Sequence, residues 1–273
     1  MTVDMRATDM PATDVLAAEL HEAERSRTQV RQFSLRYPQM TLEDGYRVSR
    51  AWAQLKRDEG QRVIGHKIGL TSRAMQVSSQ IDEPDFGTLF DEMLYESGHP
   101  IPRERFIRPR IEVELAFMLG TPLEGPHVTI ADVLRATEYV VPALEIIDAR
   151  IEQHDRAEGT PRKVVDTISD NAANAGIVVG GRPMRPDDLD LCRTGALLFL
   201  NGVVEESGLA GAVLGHPANG IAWLARRLSR FEEGLEAGQL VLAGSFTRPV
   251  PLERGDTVHA DYGQCGAVTF TLT

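Results

Sequence analysis

At 273 residues, with 42% hydrophobic and 25% charged side chains and a mean hydropathy of -0.20, the chain has the composition of a globular protein able to bury a full core. A net charge of -11 opposes nucleic acid, which demands a basic footprint, and no apolar run nears the roughly 20 residues that cross a bilayer. Cys192 and Cys265 lack the spacing of a zinc knuckle or disulfide framework, and Asp4, Arg6 and Asp9 interrupt the opening segment where a secretory signal needs an apolar core; a soluble, cytoplasmic protein with no membrane partner is expected.

Residues 13 to 60 read as helical. Asp14 precedes the Leu16, Leu20 pattern, Thr41 with Asp44 has the spacing of a capping pair ahead of Tyr46, Trp52 and Leu55, and Gly60 is placed to end the second helix. From Val63 the pattern shifts to period two: Ile64, His66, Ile68 and Leu70 alternate with Gly65, Lys67 and Gly69. A strand there sets Lys67 between two glycines on one face, with room beside it for a ligand, so Lys67 is a candidate proton shuttle or substrate cation as well as an ordinary surface lysine. Asp85 follows in Ile81-Asp82-Glu83-Pro84-Asp85-Phe86-Gly87, where Pro84 and Gly87 predict a turn or lid. Further strands are expected near 111–119, 139–147, 175–180, 195–205, 239–247 and 256–272, with Asn201-Gly202 as a hairpin turn. Helices are expected near 129–138, opened by Thr129, and near 217–230, where Pro217 suits a first turn and Ile221, Leu224 and Leu228 share a face. The organisation predicted is a helical N-terminal region, 1–62, followed by a β-rich catalytic domain, 63–273.

The run Arg110-Ile111-Glu112-Val113-Glu114-Leu115-Ala116-Phe117 places two carboxylates on one face of a strand whose other face is apolar. Two unit charges about 4 Å apart repel by roughly 4 kcal/mol at an effective dielectric near 20, so a buried pair needs a cation, a shared proton or solvent; an exposed acidic edge would need none of these. A third acid, Glu145, interrupts the apolar run Val140 to Ile147 and needs a partner of its own, a metal or a nearby Arg. Three carboxylates together suit an octahedral, oxygen-loving cation such as Mg2+ or Mn2+; no His or Cys has spacing to support zinc. Asp166 to Asn174 combines hydroxyls, amides and small residues that either line a polar pocket or cap and turn the backbone. Gly180-Gly181, Gly208 and Gly211 form no dinucleotide fingerprint, His66 reads as a packed strand residue and His216 as part of a helix cap.

The stretches Gly65-His66-Lys67-Ile68-Gly69-Leu70-Thr71-Ser72, Glu112 to Glu114, Ala143-Leu144-Glu145, Asp166 to Gly176, His216-Pro217-Ala218-Asn219-Gly220 and Gly244-Ser245-Phe246-Thr247-Arg248-Pro249 carry a resemblance. Over nearly its whole length the chain resembles the hydratase and decarboxylase branch of the fumarylacetoacetate hydrolase superfamily. That resemblance implies a mixed α/β fold with a rolled β-sheet core and flanking helices, a homo-oligomer, and Mg2+ or Mn2+ held by Glu112, Glu114 and Glu145. It assigns Lys67 and Asp85 to acid/base work and makes Arg110, Lys163, Ser169 and Ser245 candidates for holding a small unsaturated 2-oxo or 2-hydroxy acid, with no organic cofactor. The implied activity is a hydro-lyase of aromatic catabolism. Substrate length, one carboxylate or two, and hydration against decarboxylation are left open by these stretches. The N-terminal region lacks the His-containing dyad of the carbon–carbon bond hydrolases, and intact Lys67, Asp85 and glutamates oppose a non-catalytic partner subunit. Departures at Phe86 and Arg73 bear on pocket packing rather than chemistry.

Overall fold

The computed structural model describes residues 10–73, 76–77 and 81–273. Three helices come first: α1 (Thr13–Ser26), α2 (Phe33–Arg36) and α3 (Leu42–Asp58). At the start of α3 the Thr41 hydroxyl accepts from the Asp44 N–H while the Asp44 carboxylate accepts from the Thr41 N–H, the reciprocal cap its sequence spacing predicts. Gly60, at φ +92°, turns the chain out of the helix. The apolar stripes of these helices, Leu16, Leu20, Val48 and Trp52, close on Phe33 and on Phe90, Met93, Ile151 and Val165 from later in the chain, so the helical segment shares a core with the β-rich part. Burying each such side chain contributes about 1.5–3 kcal/mol.

The β-rich part contains two sheets. Strands β1 (Val63–Gly69), β2 (Asp85–Phe90), β3 (Leu94–Glu96), β5 (Arg110–Leu119), β6 (Thr137–Ile147), β7 (Asn174–Val179) and β10 (Leu240–Leu242) build the larger one in the order β2-β1-β10-β5-β6-β7-β3, and β11 (Val250–Pro251) adds to β5. The second has β4 (Pro100–Ile101), β13 (Ala267–Leu272), β12 (Thr257–Asp261), β8 (Gly195–Leu200) and β9 (Val203–Leu209), in the order β4-β13-β12-β8-β9. Helices α4 (Ile130–Ala136), α5 (Val164–Ser169) and α6 (Ala218–Leu228) flank them. This is the mixed α/β architecture expected. The main core forms where Ile111, Val113, Leu115 and Phe117 of β5 meet Ile221, Leu224 and Leu228 of α6 and the inner residues of the second sheet, Leu198, Val258, Phe270 and Leu272.

Several boundaries differ from the sequence expectation, for local reasons. The helix after Thr129 ends at Ala136, and Thr137 opens β6 at once. The hairpin turn expected at Asn201-Gly202 forms, at φ +53° and +82°, between β8 and β9, whereas the single strand expected over 256–272 is a second hairpin, of β12 and β13. The strand expected over 239–247 stops at Leu242, and Gly244 takes φ +123°. Asp85 is not in a turn or lid: it opens β2, buried, in register with Gly69 of β1. Gly87, read as a turn signal, is instead a point of close approach, since a Cβ there would stand 2.4 Å from the Asn171 carbonyl oxygen. Among the described residues no helix is long and apolar enough to cross a membrane.

Candidate metal centre

Strands β5 and β6 run antiparallel with Glu112 directly opposite Glu145 and Glu114 opposite Ala143. Residues opposite one another share a face, and so do residues two apart along a strand, so this register alone gathers the three carboxylates. Their ligand atoms all lie within 4.8 Å of one another. Strand β1 joins through β10: Lys67 registers with Leu242, which registers with Ala116. The Lys67 Nζ lies 3.3 Å from Glu145 Oε1.

The glycines beside Lys67 make room for protein, not for a ligand. A Cβ at Gly65 would fall 1.8 Å from the Leu240 carbonyl oxygen, so this glycine lets β10 approach. A Cβ at Gly69 would fall 2.2 Å from Asp85 Oδ1 and 3.3 Å from Lys67 Nζ. Gly69 is therefore what admits the Asp85 carboxylate to the neighbourhood of the lysine ammonium.

Burial and mutual repulsion dominate the electrostatics. Desolvation, then the charge of Glu145, pushes the Glu112 carboxyl up to about 8. Glu114 is raised well above the carboxylate range by burial and by Glu145 and Glu112. Burial works to lower Lys67, yet Glu145 first, then Asp85, Glu112 and Glu114 carry it above its ordinary value, so it stays an ammonium. Burial also raises Asp85, against the pull of Lys67.

Hydrogen bonds fix part of this group and leave the rest open. The Gly244 N–H donates to Glu114 Oε2 at 2.8 Å, and the Asn174 amide Nδ2 donates to Glu145 Oε1 at 2.8 Å. Among the described residues, Glu145 Oε2, both Asp85 carboxylate oxygens and Asn174 Oδ1 are buried without a hydrogen-bond partner. Excess buried negative charge, hard oxygen donors converging on one point and an orphaned carboxylate oxygen fit a divalent cation of the Mg2+ type. Behind the site, the Tyr262 hydroxyl, from the end of β12, lies 2.6 Å from the Ala143 carbonyl and 3.1 Å from that of Glu114, sharing its hydrogen between the two strands that carry the acids.

Of the other candidates, Arg110 and Ser245 border this group and Lys163 and Ser169 lie farther out. Arg110 is half-buried at the start of β5, and its charge lowers Glu112. Lys163 is exposed before α5, with its backbone N–H donating to Asp166. Ser169 lies at the contact of α3 and α5, its hydroxyl donating to the Val165 carbonyl. Ser245 follows the Gly244 that binds Glu114, and its hydroxyl donates to the Thr247 carbonyl within a turn. Burial holds His66 neutral, down at about 4, and the His216 Nδ1 accepts from the Ala218 N–H as a cap. Sequence reasoning did not single out Asn174, Gly244 or Tyr262. Asn174 closes the polar stretch 166–174 that the sequence left between pocket and turn, whereas no local pattern marks Tyr262.

A family model described as fumarylacetoacetate (FAA) hydrolase C-terminal matches residues 60–273. The 2-oxo-hept-4-ene-1,7-dioate hydratase of Escherichia coli is 58% identical over 253 residues, covering 93% of this chain and 95% of the relative. The 2-hydroxyhexa-2,4-dienoate hydratase of Comamonas testosteroni is 41% identical, covering 87% and 88%. Among solved structures, the 4-oxalocrotonate decarboxylase of Pseudomonas putida G7, complexed with magnesium and adipate, superposes with a TM-score of 0.91 at 31% identity, covering 96% of this chain and 97% of that one.

Proposed function

Because the chain belongs to the fumarylacetoacetate hydrolase family, we propose that it is a divalent-metal-dependent hydratase that adds water to 2-oxohept-4-ene-1,7-dioate, or its 2-hydroxy-dienoate tautomer, to give 4-hydroxy-2-oxoheptanedioate. The carrying observation is the convergence of Glu112, Glu114 and Glu145 beside the Lys67 ammonium, with Asp85 buried next to it. The substrate reading rests on identity: 58% to the hydratase named for the seven-carbon diacid, against 41% to the one named for the six-carbon monoacid.

In this reading Glu112, Glu114 and Glu145 hold Mg2+ or Mn2+, and related structures were solved with magnesium or with manganese. When bound, the cation supplies Lewis acidity toward the 2-oxo acid end of the substrate, stabilising enolate charge. The chain's own groups manage the protons. A proton leaves C3 and one is delivered to C5, which moves the double bond into conjugation with the C2 carbonyl; the oxygen of water then joins C4 and a proton returns to C3. Asp85, its carboxyl raised by burial and both its oxygens without a hydrogen-bond partner among the described residues, takes up and releases protons, and Lys67 Nζ donates. Lys67 stays oriented because Glu145 Oε1 holds it. Arg110 and Ser245 flank the acids and are proposed to help hold the substrate, with Lys163 and Ser169 as outer candidates. We further propose a cytoplasmic homo-oligomer as the working state.

The superposition on a decarboxylase supports a second reading, loss of carbon dioxide from an oxalocrotonate through the same enolate. Incubating the purified chain with Mg2+ and, separately, the seven-carbon diacid, a five-carbon monoacid and 4-oxalocrotonate decides between them. Fastest water addition to the diacid is expected; carbon dioxide release as the dominant reaction would replace the proposal, and full activity after exhaustive chelation would end both readings.

A further inference from the structure

Three consecutive residues, Asn171, Ala172 and Ala173, have left-handed backbone angles, with φ of +50°, +50° and +58°. Such conformations cost an L-residue on the order of 1–3 kcal/mol each and persist only where the surroundings over-determine them. Here the surroundings are built for it. The Arg150 side chain, only 2% exposed, donates to the Asp170 carbonyl at 2.8 Å and to the Asn174 carbonyl at 3.1 and 3.0 Å, so it spans the turn from end to end. Its Nε binds Asp170 Oδ1, and its backbone N–H donates to Asp170 Oδ2 at 2.8 Å. The Asn171 side chain pairs with both backbone groups of Thr88 in β2, and the Ala173 carbonyl accepts from the Asp148 N–H.

What this strained turn delivers is one side chain. Asn174, fully buried at the start of β7, donates from Nδ2 to Glu145 Oε1, the same oxygen that receives Lys67 Nζ. Glu145 Oε2 is left without a hydrogen-bond partner among the described residues. We infer that Asn174 is a positioning residue of the metal centre, its amide fixing Glu145 so that Oε1 orients Lys67 while Oε2 is directed to the cation, and that the Arg150-braced turn exists to hold that amide in place. The inference rests on the metal-binding reading above. Without the amide, the Glu145 carboxylate is free to rotate and offer both oxygens to Lys67, which removes a ligand from the cation and misplaces the ammonium together. Partners that orient a ligating group typically contribute 10–100-fold in metal affinity.

The test is Mn2+ binding to the full-length protein, followed by electron paramagnetic resonance, for wild type, Asn174→Ala, Asn174→Leu and Glu112→Gln. Asn174→Leu keeps volume in the buried site and deletes only the amide. The expected result is a folded protein by circular dichroism with a Kd for Mn2+ raised 10–100-fold in both Asn174 variants. A folded Asn174 variant with a Kd within two-fold of wild type overturns the inference, as would failure of both variants to fold, which would assign Asn174 to the fold alone. Glu112→Gln separates the two levels: if it binds Mn2+ like wild type, the metal-centre reading itself fails, whereas if only the Asn174 variants do, that reading stands and this inference falls.

Discussion

Two clusters of buried charge lie a few residues apart in this molecule, and they are built on opposite principles. Around Arg150 and Asp170 the Arg150 guanidinium and backbone N–H and the Asp170 carboxylate and carbonyl all have partners. Around Glu112, Glu114, Glu145, Lys67 and Asp85, acid outnumbers base, and Glu145 and Asp85 keep oxygens with no hydrogen bond among the described residues. In the first cluster the acid is matched by Arg150 and by the longer ion pair to Arg162, and it holds a turn; in the second, acid is in excess. Desolvated charge is tolerable in a fold when it is fully paired, and where it is left unpaired the cost is retained for chemistry.

The contrast is broken most severely on the open side. Lys67→Ala and Glu112→Gln are each expected to lower kcat about 1,000-fold or more, a loss of ~4 kcal/mol of barrier stabilisation, while the circular dichroism spectrum stays that of the folded wild type. On the closed side the pattern reverses: Arg150→Met leaves buried Asp170 with only the longer, 3.7 Å ion pair to Arg162 and should cost about 3–5 kcal/mol of stability in chemical denaturation. Retained stability there would show that Arg150 is not what holds this cluster.

Metal removal sharpens the same comparison through pH. In the chelated protein the Glu112 carboxyl sits at about 8, so between the ordinary carboxylate range and pH 8 the folded state holds a proton that the unfolded state releases, and stability falls as pH rises through that window. Cation binding requires the ionised carboxylates, so metal affinity rises over the same interval. The difference in melting temperature between Mg2+-loaded and chelated protein should therefore widen from pH 6 to pH 8.5, read by calorimetry; a constant difference would mean that these acids do not bind the ion. The smallest effect is expected from Tyr262→Phe, which deletes the hydroxyl shared by the Glu114 and Ala143 carbonyls and should cost about 1 kcal/mol in denaturation, with metal affinity lowered only a few-fold.

Much of the site can be read from the sequence because period two is a strong geometric rule. Glu112 and Glu114 share a face whatever else the chain does, and Lys67 lies between glycines on a strand, as its spacing requires. Pairing is different. Nothing local says that Glu145 will register opposite Glu112, and the expectation came from a resemblance. Asp85 was obscured because Pro84 and Gly87 are turn formers by composition, while in the fold Gly87 yields to the Asn171 backbone. Gly65 and Gly69 mark close approach by β10 and by a carboxylate, information held by their neighbours and absent from the glycines themselves. Asn174 and Tyr262 lie 29 and 119 residues from the groups they bind, Glu145 and Ala143, beyond any local pattern.

The ladder between β5 and β6 has its one irregularity at Met118/Leu119, and the next strand slips only at Ile146/Ile147, just past Glu145. Between these points the pairing is unbroken, and inserting or deleting a single residue there would swing Glu145 into the apolar interior and bring Leu144 or Ile146 to the cation. The segment that joins the two strands is anchored by buried Leu123, Val128 and Val133, but between the first two of these it has a stretch outside the core, Glu124 to His127, that can absorb changes in length. Indels among descendants of this sequence should therefore accumulate in 124–127 and be purged from the paired strands on either side, a mutational footprint that a deep insertion scan would expose without any assay of chemistry.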